Sequence, residues 1–245
     1  MKMHDLFNKT EAMFRPFLQQ MEQKEFLVVE KGDERIRCIR YTTKGTPGFP
    51  LRKVTFFLLE NGWVYNKDDK TILDEDELLV GTFIPTDDIA LPFLALEASL
   101  HLNKYDHLNV DLFPLSKDER YRKIFRDPVK ELRKKHDGLE GLLPGVRTPS
   151  LLGEYTSQGM LAGDFTDSLR DISIPWWFSY VDLYKEFLEK RDQYPILKEP
   201  AILDEAKKIK EIFLTKYRKE TPRILSDIPH LYSEEKGEEL GELTF

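Results

Sequence analysis

The sequence of 245 residues contains a single cysteine, Cys38. One cysteine excludes an internal disulfide, and without CxxC pairs there is no thiolate set for a structural zinc or an iron–sulfur cluster. No apolar run reaches the roughly 18 to 20 residues that span a bilayer, and residues 1–14 lack the apolar block of a secretory signal. We therefore expect an intracellular protein with no membrane contact, located in the cytoplasm.

Positive charge and nucleotide-binding motifs are also scarce. The chain has 37 Lys and Arg against 44 Asp and Glu, a formal net charge of −7, whereas nucleic-acid-binding domains normally carry a basic footprint. No GxGxxG follows a strand, and neither GxxxxGK[ST] nor GxSxG occurs. Nucleic-acid, nucleotide and hydrolase functions therefore have no support, and any electrons for redox chemistry would come from outside the protein.

The composition is that of an ordinary globular domain, with 40% hydrophobic and 33% charged residues. We expect one domain covering residues 1–245. Apolar spacing predicts a helix over residues 4–23, and alternation predicts strands at 35–43, 77–85, 93–102 and 107–113. Asn61-Gly62, between apolar segments at 54–59 and 63–65, predicts a type I′ hairpin. The links between these strands are too short for helical crossovers, so the sheet should be mostly antiparallel.

The second half of the chain predicts helices. A charged helical stretch covers residues 117–136 with a break at Asp127-Pro128, and a Gly/Pro/Ser/Thr-rich connection covers 138–163. Pro175 suits a first helical turn, after which four apolar residues recur at helical spacing, and a last helix covers 201–218 until Pro222 disturbs it. Strands first and helices afterwards indicate an α+β fold, with an antiparallel sheet between helices.

One strand face carries the candidate chemistry. In the 93–102 strand, Phe93, Glu97 and Ser99 share a face, and Asn109 and Asp111 share the matching face of the return strand. If the hairpin closes with Glu97 opposite Asp111, repulsion and burial would raise the pKa of at least one carboxyl, as general acid catalysis requires. A solvated sheet face explains the same pattern. A metal site including His101 and His107 is a weaker alternative.

The stretch 117–136 is locally basic. It holds nine Lys or Arg against four Asp or Glu, a local excess of five positive charges in an acidic protein. Internal ion pairs on a solvated helix explain such a run. The alternative is a docking surface for an acidic partner at Arg133, Lys134 and Lys135.

Several short blocks, in their order, resemble the ferredoxin-dependent bilin reductases and the related red chlorophyll catabolite reductases. They include Arg52-Lys53 before a strand, Phe83-Ile84-Pro85, Leu91-Pro92-Phe93 leading to Glu97, and Asp111-Leu112 before Pro114. Further blocks run from Tyr155 to Leu161, from Tyr180 to Leu188 and from Tyr217 to Leu225. The likeness covers roughly residues 50–228 and is that of a divergent member.

The resemblance implies a monomeric reductase of an open-chain tetrapyrrole such as biliverdin, supplied upstream by heme oxygenase. Such a protein holds no metal or flavin and takes single electrons from external ferredoxin. In a eukaryote it would work in the plastid stroma. Glu97 would take the place of the family's central proton-donating aspartate, with Asp111 tuning it and Glu220 as a further acid. The predicted substrate-binding residues are Phe57, Val80, Phe93, Ser99, Asn109 and Arg147.

Departures from the family pattern keep alternatives open. Phe57 and Val80 stand where members that form phycocyanobilin have a glutamate and a histidine, so reduction of the D-ring vinyl group is in doubt. The propionate-binding arginine of the family falls on Asp164, which moves that role to Arg147 or elsewhere. Asp227 is the second candidate for the role given to Glu220. A non-catalytic tetrapyrrole-binding protein and a chlorophyll-catabolite type reductase remain the alternatives.

Overall fold

The computed structural model describes residues 3–32, 34–44, 46–65, 72–101, 105–135, 142–143, 156–166, 170–226 and 242–243. Within these ranges one antiparallel sheet of eight strands lies between helices, in the order β1-β2-β3-β4-β5-β6-β8-β7. The strands are β1 (Met21–Lys31), β2 (Glu34–Thr43), β3 (Leu51–Tyr65), β4 (Ile72–Pro85), β5 (Phe93–His101), β6 (Tyr105–Phe113), β7 (Leu142–Leu143) and β8 (Leu161–Thr166). The predicted α+β fold with an antiparallel sheet is confirmed.

Five α-helices accompany the sheet in the described part of the chain. They are α1 (Met3–Leu18), α2 (Glu119–Phe125), α3 (Asp127–Lys134), α4 (Arg170–Glu189) and α5 (Pro200–Ser226). The predicted break between α2 and α3 is confirmed. Pro128 stands in the first turn of α3, where a missing N–H costs no hydrogen bond. None of the described helices is both long and apolar enough to cross a membrane.

Alternation along the strands gives the sheet two faces. We name them the Phe56 face, which includes Phe56, Phe83 and Leu94, and the Glu97 face, which includes Phe57, Val80 and Glu97. Phe7 and Phe14 of α1 and Tyr184 of α4 pack on the Phe56 face, with ring centroids 5.2 Å, 4.4 Å and 5.7 Å from their sheet partners. The main core therefore lies between this face and helices α1 and α4.

Helix α5 covers one end of the Glu97 face. Phe213 stacks on Phe93 at 5.8 Å between ring centroids and meets Phe113 at 4.6 Å. The buried Lys210 donates to the carbonyl oxygens of Pro85 and Thr86, each at 3.1 Å, and pairs with Asp87. Aromatic burial and this lysine together hold α5 on the sheet.

Two boundaries differ from the sequence prediction at the amino-terminal end. Helix α1 ends at Leu18, and Met21 begins β1, so the predicted helix over 4–23 was too long. Pro16 lies in the last turn of α1. Its missing N–H and its restriction on the residue before it favour an early helix end.

The predicted hairpin at Asn61-Gly62 was wrong. Strand β3 continues through both residues, and its register with β4 shifts between Leu59 and Gly62, which is a β-bulge. Asn61 alone of the pair has a positive φ, 53°. A type I′ turn needs positive φ at both central residues, whereas a bulge can use one.

The later boundaries shift as well. Helix α4 begins at Arg170 with Pro175 inside it, and α5 continues through Pro222 to Ser226. The predicted core stripe of α4 is confirmed, since its four members are fully buried: Trp177, Val181, Tyr184 and Leu188. Strand β8 begins at Leu161, inside the segment 138–163 that was predicted as a long connection, because its partner β6 supplies the pairing that the local sequence does not indicate.

Candidate functional site

An open patch lies in the middle of the Glu97 face. Its residues remain partly exposed although they stand on the central strands: Val80, Ala95, Glu97, His107 and Asn109. Their neighbours on the same face are buried, among them Phe57 at 2% exposure, Thr82 at 1% and Asp111 at 1%. An exposed floor inside a covered sheet face is the shape expected of a ligand site. We call it the Glu97 patch.

The register of β5 with β6 differs from the prediction. Glu97 lies opposite Asn109, Ser99 opposite His107, and Ala95 opposite Asp111. The predicted pairing of Glu97 with Asp111 was therefore wrong by two residues. A shift of two keeps every side chain on its own face, so the hydrophobic pattern fits both registers equally well.

Glu97 is flanked by Val80 on β4 and by Asn109 on β6. The Asn109 side-chain amide donates to Glu97 Oε2 at 3.5 Å. This long hydrogen bond comes from the neighbouring strand and orients the carboxyl group along the sheet. Glu97 thus has one neutral amide beside it, an apolar neighbour on the other side and access to solvent.

Asp111 is diagonal to Glu97 and has its own partner. The backbone N–H of Ser157 donates to Asp111 Oδ2 at 3.1 Å, and the Ser157 hydroxyl donates to Oδ1. Burial raises the pKa of Asp111 to about 6 although both Ser157 bonds act in the opposite direction. A raised carboxyl pKa on this face was predicted, but its cause is burial and not an opposing Glu97.

The Asp111 contact belongs to a chain of bonds that fixes residues 157–159, which we call the Ser157 clasp. Gly159 N donates to the Ser157 hydroxyl at 3.0 Å, and the Tyr180 hydroxyl donates to Gly159 O at 2.5 Å. A Cβ on Gly159 would lie 2.6 Å from the backbone of Val129 and Lys130, so only glycine fits. Asp111 therefore ties this segment to β6 close to the Glu97 patch.

The predicted substrate-binding residues fall into different surroundings. Val80 and Asn109 belong to the Glu97 patch, and the buried Ser99 lies next to it on β5. Phe93 is fully buried beneath Phe213. Phe57 packs in a small cluster with residues of strands β1 to β4, against which Leu243 also packs: Val28, Ile36, Cys38, Leu59 and Leu78.

Some predicted residues lie where the structure gives no side-chain description. Glu220 is part of helix α5, but only its backbone is described. His101 and Asp164 are likewise described by their strands alone. Arg147 and Asp227 lie outside the described residues.

The basic stretch is extensively paired. Arg120 meets Asp118 and Glu199, and three further pairs lie along α2 and α3: Arg122–Glu119, Arg126–Asp127 and Lys134–Glu131. The Arg133 guanidinium lies 5.3 Å from the ring centroid of Trp176. Lys134 and Lys135 remain exposed. These pairs use the four acids of the stretch itself and only Glu199 from outside it, so most of the local positive excess remains.

No group of three or more His, Cys, Asp or Glu side chains in the described ranges is arranged to hold a metal ion. Two polar residues at this face were not predicted from the sequence: Thr82 on β4, and Ser157, which binds Asp111. In the sequence, Thr82 looks like any β-branched residue of a strand. Ser157 lies 46 residues from its partner Asp111, in a segment without periodicity. Only the alternation of β4 places Thr82 beside Val80, and no local signal identifies Ser157.

Comparison with solved structures links this geometry to a known fold. The chain superposes on phytochromobilin synthase from tomato, determined in complex with biliverdin, with a TM-score of 0.69. The superposition covers 98% of this chain and 81% of that one, at 14% sequence identity. The two proteins share one fold. Neither a model of a known family nor a curated protein matches the sequence.

The buried Asp111 predicts a specific pH dependence of stability. Its folded-state pKa of about 6 lies above the ordinary 3.8, so the folded protein binds this proton more tightly than the unfolded chain. The stability contributed is complete below about pH 4 and is lost as the pH rises through about 6. This difference in pKa between the folded and unfolded states corresponds to about 3 kcal/mol of stability.

Asp111→Asn should remove this component, which urea unfolding between about pH 4 and pH 7 will measure. The wild type should lose stability relative to the variant as the pH rises. Asp182→Asn, an exposed change on α4, is the control and should keep the wild-type profile. Parallel profiles for wild type and Asp111→Asn would show that Asp111 does not hold a raised pKa.

Proposed function

We propose that the protein is a reductase of an open-chain tetrapyrrole, biliverdin or a close relative, which receives single electrons from ferredoxin. Glu97 is the proton donor, and no cofactor is held by the protein itself. The observation that carries this proposal is the partly exposed Glu97 at the centre of a sheet whose fold is shared with a biliverdin-bound synthase.

The surroundings of the Glu97 patch suit a large conjugated ligand. Val80 and Ala95 offer apolar floor on two neighbouring strands, while Glu97, Asn109 and His107 offer polar groups along one side. Ligand sites typically combine mainly apolar walls with a few placed polar groups. A tetrapyrrole has the matching chemistry, because its rings are apolar and its nitrogen and lactam oxygen atoms form hydrogen bonds.

The chemistry requires protons as well as electrons. Reducing one carbon–carbon double bond takes two electrons and two protons, and ferredoxin supplies electrons one at a time. Each added electron makes the tetrapyrrole more basic, so a nearby acid can transfer a proton to it. Glu97 donates that proton, becomes a carboxylate held by the Asn109 amide, and recovers a proton from solvent because it is partly exposed.

Asp111 affects this site indirectly, by holding the Ser157 clasp in place. Both of its carboxyl oxygens accept hydrogen bonds from Ser157, so Asp111 holds the Ser157 clasp and does not contact the substrate directly. The clasp keeps residues 157–159 against β6 at Asp111. We assign Glu220 the part of a further acid on α5.

A non-catalytic tetrapyrrole-binding protein is the second candidate function. Phe57 is paired with Val80 across β3 and β4, and Val80 lies directly opposite Glu97; neither Phe57 nor Val80 can transfer a proton. An enzyme in this arrangement relies on Glu97, whereas a binding protein needs no acid at all. Loss of the Glu97 proton therefore separates the two functions.

Glu97→Gln should leave bilin binding intact while turnover with reduced ferredoxin falls on the order of 10²-fold or more. The amide keeps the size and most hydrogen bonds of the carboxyl group but lacks the acidic proton. Stopped-flow absorbance will follow turnover, and electron paramagnetic resonance should detect an accumulating bilin radical.

Glu189→Gln, an exposed carboxyl change on α4, is the matched control and should turn over normally. Normal turnover in Glu97→Gln would place the proton donor elsewhere. Bilin binding without reduction in the wild type, with every ferredoxin tried, would identify the protein as a binder.

Ferredoxin docking is assigned to the basic surface at Arg133, Lys134 and Lys135. Ferredoxins are acidic, and complementary charge speeds encounter between partners. The contact of Arg133 with Trp176 gives it a packing role, so its replacement would confuse docking with stability. The exposed Lys134 and Lys135 provide the cleaner test.

The double change Lys134→Glu and Lys135→Glu should slow reduction at low salt and flatten its dependence on ionic strength, with bilin affinity unchanged. Lys24→Glu and Lys190→Glu, exposed residues outside this surface, form the control with equal charge change. Reduction rates measured from low to high salt will show whether Lys134 and Lys135 contribute to docking. Equal salt dependence in the two double variants would show that ferredoxin does not dock at α3.

A further inference from the structure

The Glu97 face contains a buried polar group without a partner in the described structure. Thr82 is 1% exposed, and its hydroxyl oxygen makes no hydrogen bond. Buried hydroxyls without a partner are unfavourable, and native proteins contain few of them. Valine would fill nearly the same volume without this cost, so packing alone does not explain a threonine here.

The position of Thr82 links it to the Glu97 patch. It lies on β4 between Thr55 of β3 and Ala95 of β5, and Val80 precedes it by two residues on the same face. Ala95 is partly exposed and has only a methyl side chain. On the patch side, Thr82 is therefore flanked by Ala95, a smaller side chain than those of Val80 or Glu97.

Glu97 is the diagonal neighbour of Thr82 across β4 and β5. Diagonal neighbours on adjacent strands lie about 7 to 8 Å apart at their Cα atoms. Groups at this separation contact different atoms of one flat ring system lying on the strands. The Thr82 hydroxyl and the Glu97 carboxyl can therefore both contact the same end of a single ligand.

We propose that Thr82 is a substrate-contacting residue whose hydroxyl donates a hydrogen bond to a terminal lactam carbonyl oxygen of the tetrapyrrole. This inference rests on the proposed function. Lactam oxygens are the acceptors at the ends of an open-chain tetrapyrrole, and a hydroxyl can donate to them. The bond satisfies the buried hydroxyl and orients the terminal ring relative to the acid on Glu97.

If the Thr82 hydroxyl serves the ligand, its removal should have opposite effects on the stability of the free protein and on the affinity for biliverdin. In the free protein its removal relieves an unsatisfied group, so Thr82→Val should unfold at the same or a higher urea concentration than the wild type. In the complex its removal breaks a hydrogen bond, so biliverdin affinity should fall about fivefold to tenfold. A purely structural hydroxyl would not separate these two measurements.

Two further variants complete the experiment. Thr82→Ser keeps the hydroxyl and should bind within roughly twofold of the wild type. Thr55→Val removes the neighbouring buried hydroxyl of the same row, on a residue that already interacts within the protein, and should lower stability while leaving affinity unchanged. Absorbance titration gives the affinities, and resonance Raman spectra should show the lactam carbonyl band at higher frequency in Thr82→Val.

The outcomes distinguish this inference from the proposed function. Wild-type affinity and an unshifted carbonyl band in Thr82→Val would overturn the role of Thr82 alone. A wild-type protein that binds no bilin would overturn the proposed function, and the role of Thr82 with it. Weaker binding in Thr82→Val, recovered in Thr82→Ser, would support the inference.

Discussion

Phe213 stacks on Phe93 and meets Phe113, with ring centroids 5.8 Å and 4.6 Å away, and these contacts hold α5 against the Glu97 face. Lys210, three residues earlier on the helix, fixes the same region through the carbonyls of Pro85 and Thr86. Helix α5 is anchored at this end of the face, whereas the residues of the Glu97 patch in the middle of the face are partly exposed.

The patch also depends on a rigid floor. Each of its strands is paired on both sides along the patch, and the opposite side of the same strands packs into the main core through residues such as Leu96 and Leu108. A site on paired strands keeps its side chains at fixed separations. The Ser157 clasp adds a wall that is fixed by Asp111 at one end and by Tyr180 at the other.

Much of this arrangement follows from sequence alternation, and the rest depends on distant contacts. The alternation of β5 and β6 correctly places Glu97, Asn109 and Asp111 on one face. It cannot fix their register, because a shift of two residues leaves both faces unchanged. The hairpin predicted at Asn61-Gly62 was wrong for a related reason, because the positive φ of Asn61 is compatible with a bulge as well as with a turn.

The partners of the buried polar groups could not be predicted at all. Ser157 reaches Asp111 from a part of the sequence without periodicity, and burial alone gives Asp111 its raised pKa. In the sequence, nothing distinguishes Lys210 from the other charged residues of α5, yet its side chain is buried, with 4% exposure. Long-range packing decides both cases, and local propensity carries no information about it.

The central claim is that the Glu97 face binds an open-chain tetrapyrrole and presents it for reduction. The most direct measurement is the absorption spectrum of biliverdin mixed with the purified protein, first alone and then with reduced ferredoxin. The account predicts a changed bilin spectrum on mixing, followed by loss of long-wavelength absorption as a double bond is reduced. A biliverdin spectrum that is identical with and without the protein would contradict it.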